Sequence, residues 1–198
     1  MNERIYLLLI FVIFSSCDNQ IGDTSDSRNI NPLKTSENTL IEDKKIIKEV
    51  VEMRFFSSRH EKDTFILILK GDSIYDGTVD FIIISYNGDS IFNQTYNAVD
   101  LIGYGLTEMK NPTVYDYEQY ILMRMNSFFS EDRFLKPAID SNINYDSELE
   151  YLISEDTWGR IKGDTSSIGF IYHIKEESFI KIVFDKSKRE VIQYDSCC

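Results

Sequence analysis

The chain predicts an α+β fold built on antiparallel β-sheet, and three observations carry that expectation. Short apolar runs rich in β-branched and aromatic residues fall into two groups, about 64–96 and 167–195, each punctuated by turn residues. Between them, the stretch from Val114 to Phe129 repeats its apolar residues at helical spacing. With 42% apolar and 13% aromatic residues, the chain can bury a sizeable core, so one domain over residues 45–198 is expected. Two meanders, with the intervening helices packed on one face, are the architecture these patterns favour.

The N-terminus reads as an address. Residues 1–16 have the layout of a secretory signal: Arg4, an unbroken apolar run from Ile5 to Phe14, then Ser15 and Ser16. A run of this length rises only about 15 Å as a helix, roughly half the hydrocarbon thickness of a bilayer. Phe14-Ser15-Ser16-Cys17 resembles the lipobox of bacterial lipoproteins, with Phe14 where a leucine usually sits. The resemblance implies cleavage before Cys17 and a lipid on that residue. It also implies an exported protein anchored in the cell envelope, at the outer membrane in preference to the inner. Residues 17–44 are dense in Asp, Asn, Ser and Thr and offer little to offset the entropy of ordering, so they read as a flexible tether.

Ile46 to Phe56 fits either a short helix or an edge strand, and Val50, Val51, Phe55 and Phe56 tilt its second half towards a strand. A polar loop follows, with His60 as a surface residue. Phe65 to Leu69 and Val79 to Tyr86 are the clearest strands, and Asn87-Gly88 predicts a two-residue type I′ hairpin with Ser90 to Tyr96 as the return strand. Gly71-Asp72-Ser73-Ile74-Tyr75 and Gly88-Asp89-Ser90-Ile91-Phe92 are near copies, read as one turn chemistry used twice. Thr113 with Asp116 makes an approximate capping box for the best helix, whose Val114, Tyr117, Ile121, Leu122, Met125, Phe128 and Phe129 share a broad face. Ser147 with Glu150 forms a second box, predicting a helix to about Lys162 that stops at Gly163 and anchors through Trp158 and Ile161. Trp158 is expected in or near the core rather than on a sugar.

The last stretch alternates. Ile168, Phe170, Tyr172 and Ile174 interleave with Gly169, Ile171, His173 and Lys175, a period of two. Glu176-Glu177 makes a turn, Ser178 to Phe184 the next strand, Asp185 to Lys188 another turn, and Glu190 to Tyr194 the final strand.

Chemistry is sparse. The net charge of −12 is unchanged by removal of residues 1–16, which takes away Glu3 and Arg4 together. Such a surface repels phosphates, which argues against nucleic acid and leaves solubility or a basic protein partner as uses of the charge. His60 and His173 belong to no metal-ligand spacing, and neither a phosphate-binding loop nor a nucleophile elbow is present. No metal, cofactor or catalytic residue is therefore assigned. Cys197 and Cys198 are a candidate redox or disulfide pair, although neighbouring Cα atoms about 3.8 Å apart would strain a bridge that prefers roughly 4.4 to 6.8 Å.

Two functions follow. One is a non-catalytic binding or accessory domain with an acidic surface, an inhibitor or immunity-type protein being one form. The other is a small envelope hydrolase using His173 with a Ser or carboxylate placed beside it by the fold. The layout of lipobox, polar tether and one acidic α+β domain is similar to that of small lipoproteins of the Bacteroidota type, which implies location and not activity.

Overall fold

The computed structural model describes residues 45–175 and 179–197. The expected class is found, and the two groups of strands form two antiparallel sheets of four. In the first, β1 (Ile46–Arg54), β2 (Asp63–Lys70), β3 (Thr78–Ile84) and β4 (Ser90–Asn97) lie side by side in chain order. After α1 (Val114–Asn126), the second sheet is ordered β5 (Phe134–Leu135), β6 (Gly169–His173), β7 (Phe179–Asp185) and β8 (Glu190–Cys197), with α2 (Glu155–Gly163) between β5 and β6 in the chain. The signal region 1–16, Cys17, the tether 17–44, the Glu176-Glu177 turn with Ser178, and Cys198 lie outside the described residues.

Alternation explains the first sheet. Phe65, Leu67 and Leu69 on β2 stand beside Ile83, Phe81 and Val79 on β3, and all six are fully buried on one face. Their neighbours Ile66, Ile68, Ile82 and Ile84 face outward and remain partly exposed, with a Lys70–Asp80 ion pair of 2.8 Å at one end. The Ile46–Phe56 stretch is an edge strand from Ile46 to Arg54, so the lean towards a strand in its second half is correct and the first half is strand as well. Glu49, Glu52 and Arg54 along β1 put charge on that edge, which opposes pairing with another chain.

The β3–β4 turn departs from the expected type I′. Gly88 N–H donates to Ser85 O (2.8 Å) and Ser85 N–H to Asp89 O (2.8 Å), so the loop has three residues, Tyr86, Asn87 and Gly88. Only Gly88 takes positive φ, at 91°, in the arrangement of a type I turn followed by a left-handed residue and a bulge. Fully buried Asp63 selects it. Its carboxylate accepts Tyr86 N–H (2.9 Å), Ser57 N–H (2.6 Å) and Ser57 Oγ (2.8 Å), tying the turn to the loop after β1.

The sheets meet face to face through aromatic rings. Phe65 and Phe81 on the first sheet pack on Phe170 and Tyr172 of the second, with centroids 5.6 Å (Phe65–Phe170) and 5.4 Å (Phe81–Tyr172) apart. The hydroxyls of Tyr96 and Tyr172 lie 2.9 Å apart and bridge the sheets, so neither buried phenol is left unpaired. Burial pushes the Tyr172 phenol far above its ordinary pKa, with Tyr96 adding to the effect. It remains a hydrogen-bond donor at any working pH.

Thr113 caps α1 as expected, with reciprocal bonds to and from Asp116. Ile121 and Met125, with Phe128 and Phe129 just beyond the helix, enter the shared core, while Val114 in the first turn stays exposed. The Ser147 box does not start a helix. Asp146 captures Glu148 N–H (2.9 Å), which limits Ser147–Leu149 to a single 3-10 turn, and Ser154 instead caps α2 through Thr157 N–H. The end at Gly163 agrees with the expectation. Trp158 and Ile161 are buried beside Ala138, Ile139, Ile153, Val183 and Tyr194 in a second cluster, on the face of the second sheet turned away from the first. The alternation in β6 divides these duties: Phe170 and Tyr172 face the shared core, Gly169 and Ile171 the opposite side.

Two carboxylates fasten α2 to the β7–β8 turn. Asp185 accepts Arg160 (2.7 Å) and both N–H and Oγ of Ser187, while Asp164 takes Lys186 Nζ (2.5 Å) and Ser166. Burial raises both pKa values, but the hydrogen bonds and the paired cations outweigh it, holding Asp164 down to about 2 and Asp185 below the ordinary range. A depressed carboxyl stabilises the fold above its unfolded pKa of roughly 3.9 and loses that contribution as pH falls through the folded value. Stability in urea titrations should therefore drop between pH of about 4 and about 2, and Asp164→Asn should flatten that drop. An unchanged slope in the variant would show that other carboxyls control acid unfolding.

Candidate functional site

The second sheet is only half covered on its outer face. The cluster around α2 seals Gly169, Val183 and Ile192, leaving Ile171, Lys181 and Asp195 further along the strands. Against this half the chain from Leu135 to Leu149 folds over and encloses a cavity of about 400 Å³. Its size falls within the range of small-molecule and side-chain pockets.

The lining is chiefly apolar. Ala138, Ile139 and the ring of Trp158, which is 5% exposed, form the floor. Tyr194 stands in the wall with its hydroxyl donating to Ala138 O (2.6 Å), a bond that holds the covering segment on the sheet. Burial, and then the neighbouring Asp195, push the Tyr194 phenol well above its ordinary pKa. It acts as a fixed donor. Lys162 Nζ lies 5.2 Å from the Trp158 ring centroid and donates to Ile143 O (2.7 Å), fastening the outer lip. Ile143 itself is 50% exposed at that lip. Across the mouth, Lys181 and Asp195 form an ion pair of 2.7 Å, and Lys136 and Asp140 add one charge of each sign.

This arrangement can hold an apolar group and orient what is attached to it through the rim charges. A second hollow of about 570 Å³, between the Tyr75–Tyr117 ring pair and Asp100 with Lys175, is larger. The 400 Å³ cavity is bounded by described residues.

His173 sits exposed at the end of β6 with its ring 6.5 Å edge-to-face from Phe179, and it lines none of the cavities described. His60 lies in the exposed loop after β1, its backbone N–H bonded to Ser58 Oγ. Cys197 is exposed at the end of β8, opposite Phe179. Among the described residues no group of three His, Cys, Asp or Glu side chains could hold a metal ion, and no helix is long and apolar enough to cross a membrane. Trp158 belongs to the core, in agreement with its reading from sequence. Lys181, Asp195, Tyr194 and Ile143 were not singled out, because they come from three separate segments. Only the period-two pattern, which puts Ile171 opposite the core face, hints at the site.

Comparison of the chain with protein-family models, with curated proteins and with solved structures finds no match, so the functional reading rests on the residues themselves.

Proposed function

We propose that this chain is an exported protein, anchored in the cell envelope by a lipid on Cys17 and held off the membrane by the tether 17–44, whose folded domain binds a partner protein. The observation that carries the reading is the apolar cavity with Ile143 at its lip and the Lys181–Asp195 pair across its mouth. An apolar side chain of the partner fills such a cavity as an anchor, and the surrounding polar rim fixes its approach. The net charge of −12 favours a partner with a basic surface and makes nucleic acid an unsuitable one. His173 lines none of the cavities described, so no observation favours the hydrolase alternative over this reading.

The test compares the wild-type chain with Ile143→Asp in capture from envelope extracts, washed at low and high salt. Ile143 is half exposed, so the substitution should change stability by less than about 0.5 kcal/mol. One basic protein retained by the wild type, weakened by salt and lost with Ile143→Asp, is the expected result. Retention of the same protein by the variant, or no retention by the wild type, overturns the reading. Independently, Cys17→Ala should move the protein from the membrane fraction to the soluble fraction. A variant that stays with the membrane would remove the lipid anchor from the proposal.

A further inference from the structure

A third hollow, of about 380 Å³, opens between the loop after β1 and the stretch that leads into β6. Phe55 and Ile168 give it apolar surface, Arg59 and Lys136 bring two cations, and Thr165 and Ser167 bring hydroxyls. Among the described residues no carboxylate lines it. In a chain of 33 acidic and 21 basic residues, a concave surface whose only charges are positive runs against the composition.

Both walls are fixed by their own hydrogen bonds. Asp63 accepts Ser57 N–H and Oγ, and Ser58 Oγ accepts the N–H groups of His60 (3.1 Å) and Glu61 (3.2 Å), so Arg59 sits in a closed turn. On the other wall Asp164 O accepts Ser167 N–H (2.9 Å), and the Asp164 carboxylate accepts Ser166 N–H (3.0 Å). Ser167 is 6% exposed, and its Oγ accepts Ala138 N–H at 3.2 Å. Its hydroxyl proton has no acceptor among the described residues, which leaves a buried donor on the wall of the hollow. Arg59 is exposed and forms no ion pair among the described residues. Lys136 lies 3.3 Å from Glu131, with both side chains more than half exposed, a weak pair that a better acceptor displaces.

We infer that this hollow binds a small carboxylate carrying an apolar body. The planar fork of Arg59 matches the two oxygens of a carboxylate, and the Ser167 and Thr165 hydroxyls supply further donors. With Glu131 balancing Lys136, Arg59 is the uncompensated charge, and a single carboxylate matches it. The exposed ring of Phe55 and the side chain of Ile168 take the apolar body, and the volume suits a small molecule. Lys62 Nζ, 5.5 Å from the Phe55 ring centroid, adds a third cation beside that wall. The hollow shares Lys136 and no other residue with the 400 Å³ cavity, so the inference does not depend on the partner-binding reading.

The experiment titrates the full chain with benzoate at constant ionic strength, following the amide shifts of Ser167 and Ile168 and saturation transfer to the benzoate ring. Benzyl alcohol, which lacks the charge, and acetate, which lacks the body, are the comparisons. Benzoate should saturate at millimolar concentration, and each comparison should bind about fivefold more weakly or worse. Arg59→Gln should weaken benzoate by about fivefold or more, and its exposed, unpaired side chain lets the variant keep the fold. Ser167→Ala should weaken it several-fold, while Glu131→Gln, by releasing Lys136, should tighten it. Lys188→Gln removes an exposed cation outside the hollow and should leave benzoate binding as it was. Absence of saturation, equal binding of acetate and benzoate, or equal effects of Arg59→Gln and Lys188→Gln overturn the inference.

Discussion

Phe81→Ala should lower the unfolding free energy by about 4 kcal/mol, the upper part of the range for emptying a buried aromatic site. Phe81 is fully buried and meets six other rings: Phe65, Phe92, Phe128, Phe129, Phe170 and Tyr172, at centroid distances from 4.9 to 6.2 Å. Those rings come from β2, β4, the end of α1 and β6, so one truncation loosens the first sheet from the second and both from the helix. The partners are rigid and cannot collapse into the space as flexible side chains would, which places the cost above that of an ordinary core truncation. Urea unfolding provides the check, read as a fall in midpoint with the slope unchanged. A loss under about 2 kcal/mol would mean that the sheets are held together by something other than this cluster.

Asp63→Ala should cost about 3 kcal/mol. The carboxylate is fully buried and accepts three hydrogen bonds, two of them from the backbone N–H groups of Ser57 and Tyr86. Alanine leaves both donors facing a space that no other acceptor occupies, so the desolvation penalty is added to the lost charge-assisted bonds. The damage should also be local. Amide exchange at Tyr86 and across the β3–β4 turn should accelerate more than exchange in β6 or β7, because the turn is fixed by this anchor and not by its own sequence alone. Asp63→Asn, which keeps one acceptor oxygen, should fall between the two. Uniform acceleration across the whole domain would show that Asp63 supports the global fold instead of the turn.

Much of this fold was legible because its signals are local. The apolar run from Phe65 to Leu69 and the period-two pattern from Ile168 to Ile174 each show within a few consecutive residues, and the Thr113–Asp116 box is closed within four residues. The misreadings share one cause, competition from a neighbour. Asp146 becomes the cap one residue ahead of Ser147 by accepting Glu148 N–H, and Asp63, distant in sequence, selects a three-residue turn where Asn87-Gly88 alone suggests two. The division into two sheets was not readable, since nothing in a meander states which face another sheet will cover. The cavity was hidden for a related reason. Lys181 and Asp195 become partners only through strand register.

Chain-order pairing within each sheet has a kinetic meaning. Every strand of the first sheet joins its sequence neighbour, so β1 to β4 can zip through short loops on the microsecond scale of hairpins. Joining Phe65 and Phe81 to Phe170 and Tyr172 instead closes a loop of about a hundred residues, which is slower. Between those events the first meander presents a continuous row of phenylalanine, leucine and isoleucine with nothing against it. That half-built sheet is the species most prone to aggregate, and the time to recruit β6 sets how long the hazard lasts.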